Sequence, residues 1–572
     1  MEDKHFLGGH RDMLGARQDL QRRKALKKLH ELEAMLALSD DRAFLQLAWA
    51  VNILQSDFGV KVDRFLRFPA RAATDDMASD LAVHKWDIEA LITLLLTTPK
   101  KEFAPGEPRR SLLTDRFDTM AVAVNLLRDT ENHQAGAYLG DGTILLEMSR
   151  IAHRQFGWQR GFATTERLYR FLYVYGQGAC AEYFSELNGL SIADFVTVGF
   201  YLFTQLHHAP WSRPVAIEKL GIDVPLVERA LPLFSMDVEG MRRETRTLID
   251  RLQGRAAQRV AYLPSALRRF PIIRDPRTDS YMSPLPQLIM FRMTAGLYYD
   301  IASGPQKLMT EANDRFEAYT RKLVGAYFPR FDVHPSQAYG TRKFPLNSPD
   351  VLIQDGDSIV AVIECKATKL TYDAQFADDP MQAAKNAYAQ LIKGVAQLWR
   401  FFSQVRRGIY RGPPVSPTAR AVLLTMDSWM EMAGGMRRDA VAAARALVEG
   451  EPEVTEEDMR PVVFCSMQDL ADVMIVSSED QFLSTLDNAV VPAYEGWNFR
   501  EVHRDSAGPQ NEKAFPFDVA ELAPSWKLLR ADRPDRLGVL AGSRDHCAGS
   551  GATNGEVKRA LLFPSVATDT VR

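Results

Sequence analysis

The chain has 572 residues, of which 46% are hydrophobic, 25% charged and 10% aromatic. At about 100–200 residues per domain this is room for about three domains with full apolar cores, and the ordinary content of Gly (35) and Pro (30) excludes a collagen-like or wholly disordered chain. Lys and Arg number 70 against 73 Asp and Glu, a net charge of −3, which excludes a polycation and confines any nucleic-acid surface to a local patch.

The four cysteines, Cys180, Cys365, Cys465 and Cys547, stand far apart and form no CxxC. That argues against a Cys-based zinc site or a disulfide scaffold and fits a reducing cytoplasm. Residues Met1–Asp12 are charged and lack the apolar core of a signal peptide. The longest apolar runs, such as Phe195–Phe203, fall short of the about 20 residues that cross a bilayer. The expectation is a soluble, cytoplasmic protein with no membrane partner.

Residues 1–280 read as a helical region, expected to sense, regulate or bind a partner protein. Arg22, Arg23, Lys24, Lys27 and Lys28 open a charged helix that continues through Leu29, Leu32 and Leu36, and such a charge run is ordinarily a solvated face. Further helices are expected at Asp87–Thr97, Arg116–Thr130, Thr165–Gln177 and Ser191–Gln205, the last with Ser191 and Asp194 at capping-box spacing. The Pro- and aromatic-rich stretch Phe270–Asp300 reads as a connector that packs down and holds a domain boundary, so a second domain is expected over 281–490. The remainder, 491–572, is expected as an extension ending in a flexible Gly/Ser-rich tail after about residue 540.

Within the second domain the informative stretch is Asn347–Leu370, NSPDVLIQDGDSIVAVIECKATKL. Val351–Ile353 is a short apolar strand, Asp355-Gly356 a turn signal, and Ser358–Ala367 a second strand, together an antiparallel hairpin. A four-residue turn over 355–358 pairs Gln354 with Ile359, which places Asp350 opposite Ile363 and diagonal to Glu364. Side chains alternate along a strand, so Glu364 and Lys366 share one face and Cys365 takes the other. Two neighbouring carboxylates raise each other's pKa unless a cation lies between them, and hard oxygen ligands suit Mg2+ or Mn2+. Lys366 on the same face can position a water or stabilise charge at phosphorus.

Pro349-Asp350 followed by Glu364-Cys365-Lys366 resembles the PD-(D/E)XK nuclease superfamily, over roughly residues 305–490. A second match to the pattern, Pro534-Asp535 with Glu556-Val557-Lys558, lies in Gly/Ser-rich sequence without a buried strand and is set aside. The surroundings of the first match fit the family. A helix over 308–327 puts Ala312, Phe316, Tyr319 and Leu323 on one face and carries Glu317. A second helix starts near Asp378-Asp379-Pro380 and runs to Phe402, with an apolar stripe of Ala384, Tyr388, Leu391, Val395, Leu398 and Phe402. Within it Gln397-Leu398-Trp399-Arg400-Phe401 looks like the QLxxY motif of RecB-type members, with Phe in place of Tyr. Ala419–Met426 and Pro461–Ser466 read as further core strands.

The resemblance implies a mixed fold: a largely α-helical N-terminal region joined to an α/β restriction-endonuclease-like domain whose central mixed sheet is flanked by helices. It implies metal-dependent phosphodiester hydrolysis, with Asp350, Glu364 and the Cys365 carbonyl holding Mg2+ or Mn2+, Glu317 reaching it through water, Lys366 orienting the attacking water, Gln397 assisting, and a 5′-phosphate product. DNA is the expected substrate, RNA staying open. Arg342, Lys343, Lys369, Arg400, Arg406, Arg407 and Arg411, interleaved with Trp399, Phe401, Phe402 and Tyr410, are the expected nucleic-acid contacts. Cutting both strands calls for two active sites and hence a homodimer. No GxxxxGK[ST] occurs, so an ATP requirement would be met by another subunit. The architecture suggests a bacterial defence or restriction effector. A second reading is a nucleic-acid-binding or scaffolding protein whose nuclease-like fold is catalytically unused. His207-His208 reads as a helix terminus and Cys180 as a buried structural thiol.

Overall fold

The computed structural model describes residues 3–57, 59–104, 111–138, 151, 154–155, 157–214, 222–252, 259–367, 369, 385–428, 434–508 and 511–527, with side chains from residue 15 onward. Among the described residues no single helix is long and apolar enough to cross a membrane.

The N-terminal region is helical. Helices α1 (Asp3–Ala37), α2 (Asp41–Leu54), α3 (Lys85–Thr97) and α4 (Phe117–Tyr138) pack together, and α5 (Thr165–Tyr175), α6 (Gly178–Asn188), α7 (Ile192–His208), α8 (Val224–Phe234) and α9 (Val238–Leu252) follow. Local chemistry sets many of the ends. Asp40, Thr164, Ser191 and Asp223 each accept a backbone N–H of the turn they precede, satisfying donors that a helix start leaves open. The basic run of α1 is a largely solvated face, with Arg22 near Asp19 and Lys28 near Glu31 and Asp129, while Ala25, Leu32 and Leu36 are buried. His207 closes α7 by bonding Asp57 at 2.9 Å, and the Cys180 thiol is buried, donating to the Leu308 carbonyl. Both are structural, as the sequence suggests.

Near residue 280, where a domain boundary is expected, the chain runs through a small sheet. A three-stranded sheet joins β1 (Ser235–Asp237), β2 (Ile272–Asp275) and β3 (Ser280–Met282), and α10 (Gln287–Met293) packs on α7. The aromatic- and Pro-rich connector therefore packs with the helical region through α11 (Leu297–Ala302), and α12 (Gln306–Tyr327) follows it. One buried apolar cluster runs from Leu32 in α1 through α12 and one face of the following sheet to Trp526, so the helical region and the sheet share a core.

That sheet is mixed, in the order β10-β9-β8-β7-β4. Strands β4 (Asp332–Pro335), β7 (Val351–Asp355) and β8 (Ser358–Lys366) form an antiparallel meander. Strands β8, β9 (Val415–Thr425) and β10 (Val462–Ser466) are parallel. A separate hairpin, β5 (Ala338–Thr341) and β6 (Phe344–Asn347), interrupts the passage from β4 to β7. The two faces are apolar for different partners. Val351, Ile353, Ala361, Ile363 and Cys365 join the cluster that contains Phe316 and Leu323 of α12. Leu352, Ile359 and Val362 pack with Leu398, Phe401 and Phe402 of α13 (Lys385–Arg406). The expected apolar stripe of α13 is buried at Tyr388, Leu391, Val395, Leu398 and Phe402, while the expected start at 378–380 and Ala384 lie outside the described residues.

Helix α14 (Gly434–Val448) packs on α13, and α15 (Met467–Met474), α16 (Glu479–Asn488) and α17 (Phe499–Ser506) close the far side. The chain then returns to α5: Tyr169 stacks on Phe517 at 5.1 Å and donates to Glu521. The expected flexible tail, with the second motif match at 534–558, lies outside the described residues.

Candidate active site

The β7–β8 hairpin forms as its sequence predicts at the turn. Gln354 pairs with Ile359, Asp355 with Ser358, and Gly356 takes a left-handed φ of 60° that only glycine adopts freely. Beyond the turn the register departs from expectation. Ile353 pairs with Ala361 and Val351 with Ile363, so Val360 is an extra residue, a β-bulge. Carried one step past the ladder, this register puts Asp350 directly across from Glu364, where the expected register put it diagonal. Asp350 itself lies at the bend just before β7, so the bulge brings the chain at Asp350 level with Glu364.

Four elements converge there. Asp350 accepts a hydrogen bond on Oδ2 from the backbone N–H of Cys365 at 2.7 Å. Lys366 Nζ donates to Glu364 Oε1 at 2.6 Å and to Gln397 Oε1 of α13 at 3.0 Å. Glu364 is only 4% exposed. On the other side, Arg321 of α12 donates to the Asp350 carbonyl at 3.3 Å, and Glu317, one turn earlier, faces Asp350 and Glu364 electrostatically. The sequence thus places Asp350, Glu364, Lys366, Glu317 and Gln397, and the structure gathers all five at the carboxyl end of β8.

The electrostatics reflect crowded acids. Burial first, then Asp350 beside it, pushes Glu364 up to about 7 against the pull of Lys366. Burial and the neighbours Asp350, Asp314 and Glu364 likewise push Glu317 up to about 7, with Arg321 opposing. Burial raises Asp350 as well, although the Cys365 N–H, Lys366 and Arg321 hold it down. The Cys365 thiol lies on the opposite face beside Thr320, its pKa raised far up by burial, so Cys365 has only backbone atoms to offer the site.

Three contributors are absent from the sequence reading. Asp314 and Arg321 lie three residues before and four after Glu317 on α12, a helical spacing that could have flagged them. Gly394 is the third. A Cβ at this position would lie 2.6 Å from Leu423 Cδ1, 2.9 Å from Lys366 Cε and 3.5 Å from Glu364 Cγ. Only glycine lets α13 approach β8 closely enough for Gln397 to reach Lys366.

Among the described residues, no group of three or more His, Cys, Asp and Glu side chains is assembled as a metal cage. The donor chemistry nevertheless fits a hard divalent cation: two neighbouring carboxylates and a backbone carbonyl, all oxygen, with Glu364 held above its ordinary pKa by burial and by Asp350 even with Lys366 beside it.

The expected nucleic-acid contacts divide. Arg342 and Lys343 form the exposed tip of the β5–β6 hairpin, and Arg407 and Arg411 are exposed. Lys369 is a correction: it is 4% exposed, pairs with Asp427 at 3.1 Å and donates to the Ala295 carbonyl, tying the end of β8 to the helical region. Arg400 is bidentate on Glu451, and Arg406 on Asp458, carboxylates about fifty residues away that no local pattern reveals. Arg406 also lies about 14 Å along α13 from Gln397, at 1.5 Å per residue. Trp399, Phe401, Phe402 and Tyr410 are buried core and have no free face for a base.

No protein-family model, curated protein or solved structure matches this chain.

Proposed function

We propose that the chain is a metal-dependent nuclease of the PD-(D/E)XK type, its catalytic unit built on α12, the mixed sheet and α13. The observation that carries this reading is the set formed by Asp350, Glu364 and Lys366: two neighbouring carboxylates at the end of a hairpin and a lysine 2.6 Å from one of them, on the same strand face. The restriction-endonuclease-like assignment draws support from a mixed sheet flanked by helices on both faces and from an acidic helix residue, Glu317, at the same site.

Asp350, Glu364 and the Cys365 carbonyl would hold Mg2+ or Mn2+, which supplies a bound water of lowered pKa and neutralises charge developing on the phosphoryl oxygens. Lys366 keeps its ammonium beside Glu364 and Gln397, so it can turn one donor toward the attacking water or a non-bridging oxygen. Gln397 fixes the direction of that ammonium. Arg321 fixes the backbone at Asp350, and the Cys365 N–H fixes its carboxylate. Glu317, pushed up to about 7 by burial and the neighbouring acids while no cation is bound, would reach the metal through water.

The test is incubation of supercoiled plasmid with the full chain and Mg2+, Mn2+ or EDTA, followed by end analysis. The reading expects metal-dependent loss of supercoiled plasmid with 5′-phosphate ends. Binding without cutting in every metal would favour the second reading, a scaffold with an unused nuclease-like fold.

A further inference from the structure

We infer that the β5–β6 hairpin is a DNA-distorting arm that inserts Phe344 between base pairs of a duplex while Arg342 and Lys343 hold the flanking phosphates. This rests on the nuclease reading only for the premise that DNA is the polymer engaged at Asp350.

Phe344 is 75% exposed, more than any other described large apolar side chain. It closes the hairpin across from Thr341, with Arg342 and Lys343 as the two turn residues between them, and its N–H donates to Thr341 Oγ1 at 3.2 Å. The segment Ser336–Ser348 carries these two cations and no Asp or Glu. An aromatic left in water at the tip of a purely basic arm has its complement in a polyanion with an apolar interior, which is what a stacked duplex offers.

The arm is held at its root. Ser348 N donates to the Gln337 carbonyl at 3.0 Å, Gln337 N to Ser348 Oγ at 2.8 Å, and Ser336 Oγ to the Ser348 carbonyl at 2.7 Å. Tyr339 packs edge-on against Tyr410 and donates to Gln404 of α13. Two residues past Ser348 is Asp350. Chain length therefore keeps Phe344 within about 20 Å of the Asp350 backbone, a span of about six base pairs of duplex. Pro345 follows Phe344 in β6 and lacks an N–H, which makes the arm a poor strand for pairing with a second copy of the chain.

The experiment uses the full chain in EDTA, so that no strand is cut. A closed circular plasmid is relaxed by a metal-independent topoisomerase in its presence, and topoisomers are resolved after the protein is removed. Insertion unwinds the duplex wherever it occurs, so the readout needs no knowledge of a target sequence. The wild type should shift the plasmid toward negative supercoiling with increasing protein. Phe344→Ala should bind duplex within about threefold of wild type by mobility shift and lose the shift, while Phe344→Trp should keep it. The double variant Arg342→Gln/Lys343→Gln should reduce the salt slope of log K by about 2, since each phosphate contact contributes about 0.9. No shift with wild type, an undiminished shift with Phe344→Ala, or a change of oligomeric state on Phe344→Ala would each overturn the inference. The nuclease reading fails separately, by absence of cutting in Mg2+ or Mn2+, and leaves this result standing.

Discussion

Asp350 Oδ2 accepts the backbone N–H of Cys365 at 2.7 Å, a bond made across the last step of the β7–β8 hairpin. It fixes the first carboxylate to the strand that supplies the second, so the two acids cannot drift apart without opening the sheet. Lys366, one residue further on, returns its ammonium to Glu364 and Gln397. The predictions concern what each of these attachments does.

Gln397 contributes direction rather than charge. Gln397→Ala removes one acceptor from Lys366 and leaves its charge and its contact with Glu364 in place. The expected loss in cleavage rate is about tenfold, the scale of one hydrogen bond of about 1 kcal/mol or slightly more, with little change in thermal stability because Gln397 is exposed. Single-turnover cleavage beside a melting curve separates the two effects.

Gly394 sets the spacing between α13 and β8. In Gly394→Ala the added methyl meets Leu423 and Lys366, each closer than 3 Å, and one of them has to move. Overpacking of this kind costs about 1–3 kcal/mol, partly offset by about 1 kcal/mol of helix propensity. Activity should fall by about a hundredfold, because displacement of a catalytic group by about 1 Å is that costly, while the melting temperature falls by a few degrees. A variant with full activity would dissociate the spacing from the chemistry.

The acidic cluster should make stability depend on pH and on divalent metal. Glu364 and Glu317 are both raised from 4.5 to about 7. A carboxyl with a raised folded-state pKa binds its proton more tightly in the folded chain, so its contribution is fully present below about 4.5 and is lost as pH rises through about 7. In EDTA the melting temperature should therefore decline over that window, and Glu364→Gln should flatten the decline and melt higher than wild type at about pH 8. Mg2+ should stabilise wild type more at about pH 8 than at about pH 6, because the protons it displaces are already gone, by about 3 kcal/mol at a hundredfold excess over Kd. Scanning calorimetry across pH, with and without Mg2+, checks each sign.

Lys369 should affect folding and leave DNA binding alone. Its ammonium is buried against Asp427 and the Ala295 carbonyl. Removing one partner of a buried ion pair costs about 3–5 kcal/mol, so Lys369→Ala should lower stability by about that amount while the folded fraction binds duplex as before. A denaturant titration paired with a binding isotherm measures both.

The hairpin, its turn and the two flanking helices are legible in the sequence because each rests on local periodicity: Val351–Ile353 and Ser358–Ala367 around Asp355-Gly356, and the stripes of Phe316 and Leu391. The bulge at Val360 is not, since Val-Ala-Val-Ile reads as apolar in either register. Gly394 is silent because a close approach is a relation between two elements. Arg400, Arg406 and Lys369 look like a basic surface until Glu451, Asp458 and Asp427 are brought beside them by the fold. The connector Phe270–Asp300 reads as a segment that packs down, and only the fold shows what it packs on, α10 lying against α7.

Comparison of wild type with Lys366→Ala on supercoiled plasmid in Mg2+ tests the central claim most directly. The Lys366 ammonium sits between Glu364 and Gln397, and the residue's tie to β9 is made by its backbone, which alanine keeps. Wild type should nick or linearise the plasmid in Mg2+ and not in EDTA, and Lys366→Ala should bind DNA equally while cutting at least about a hundredfold more slowly. Equal cutting by the two proteins, or no cutting by wild type in Mg2+ or Mn2+, would contradict the account.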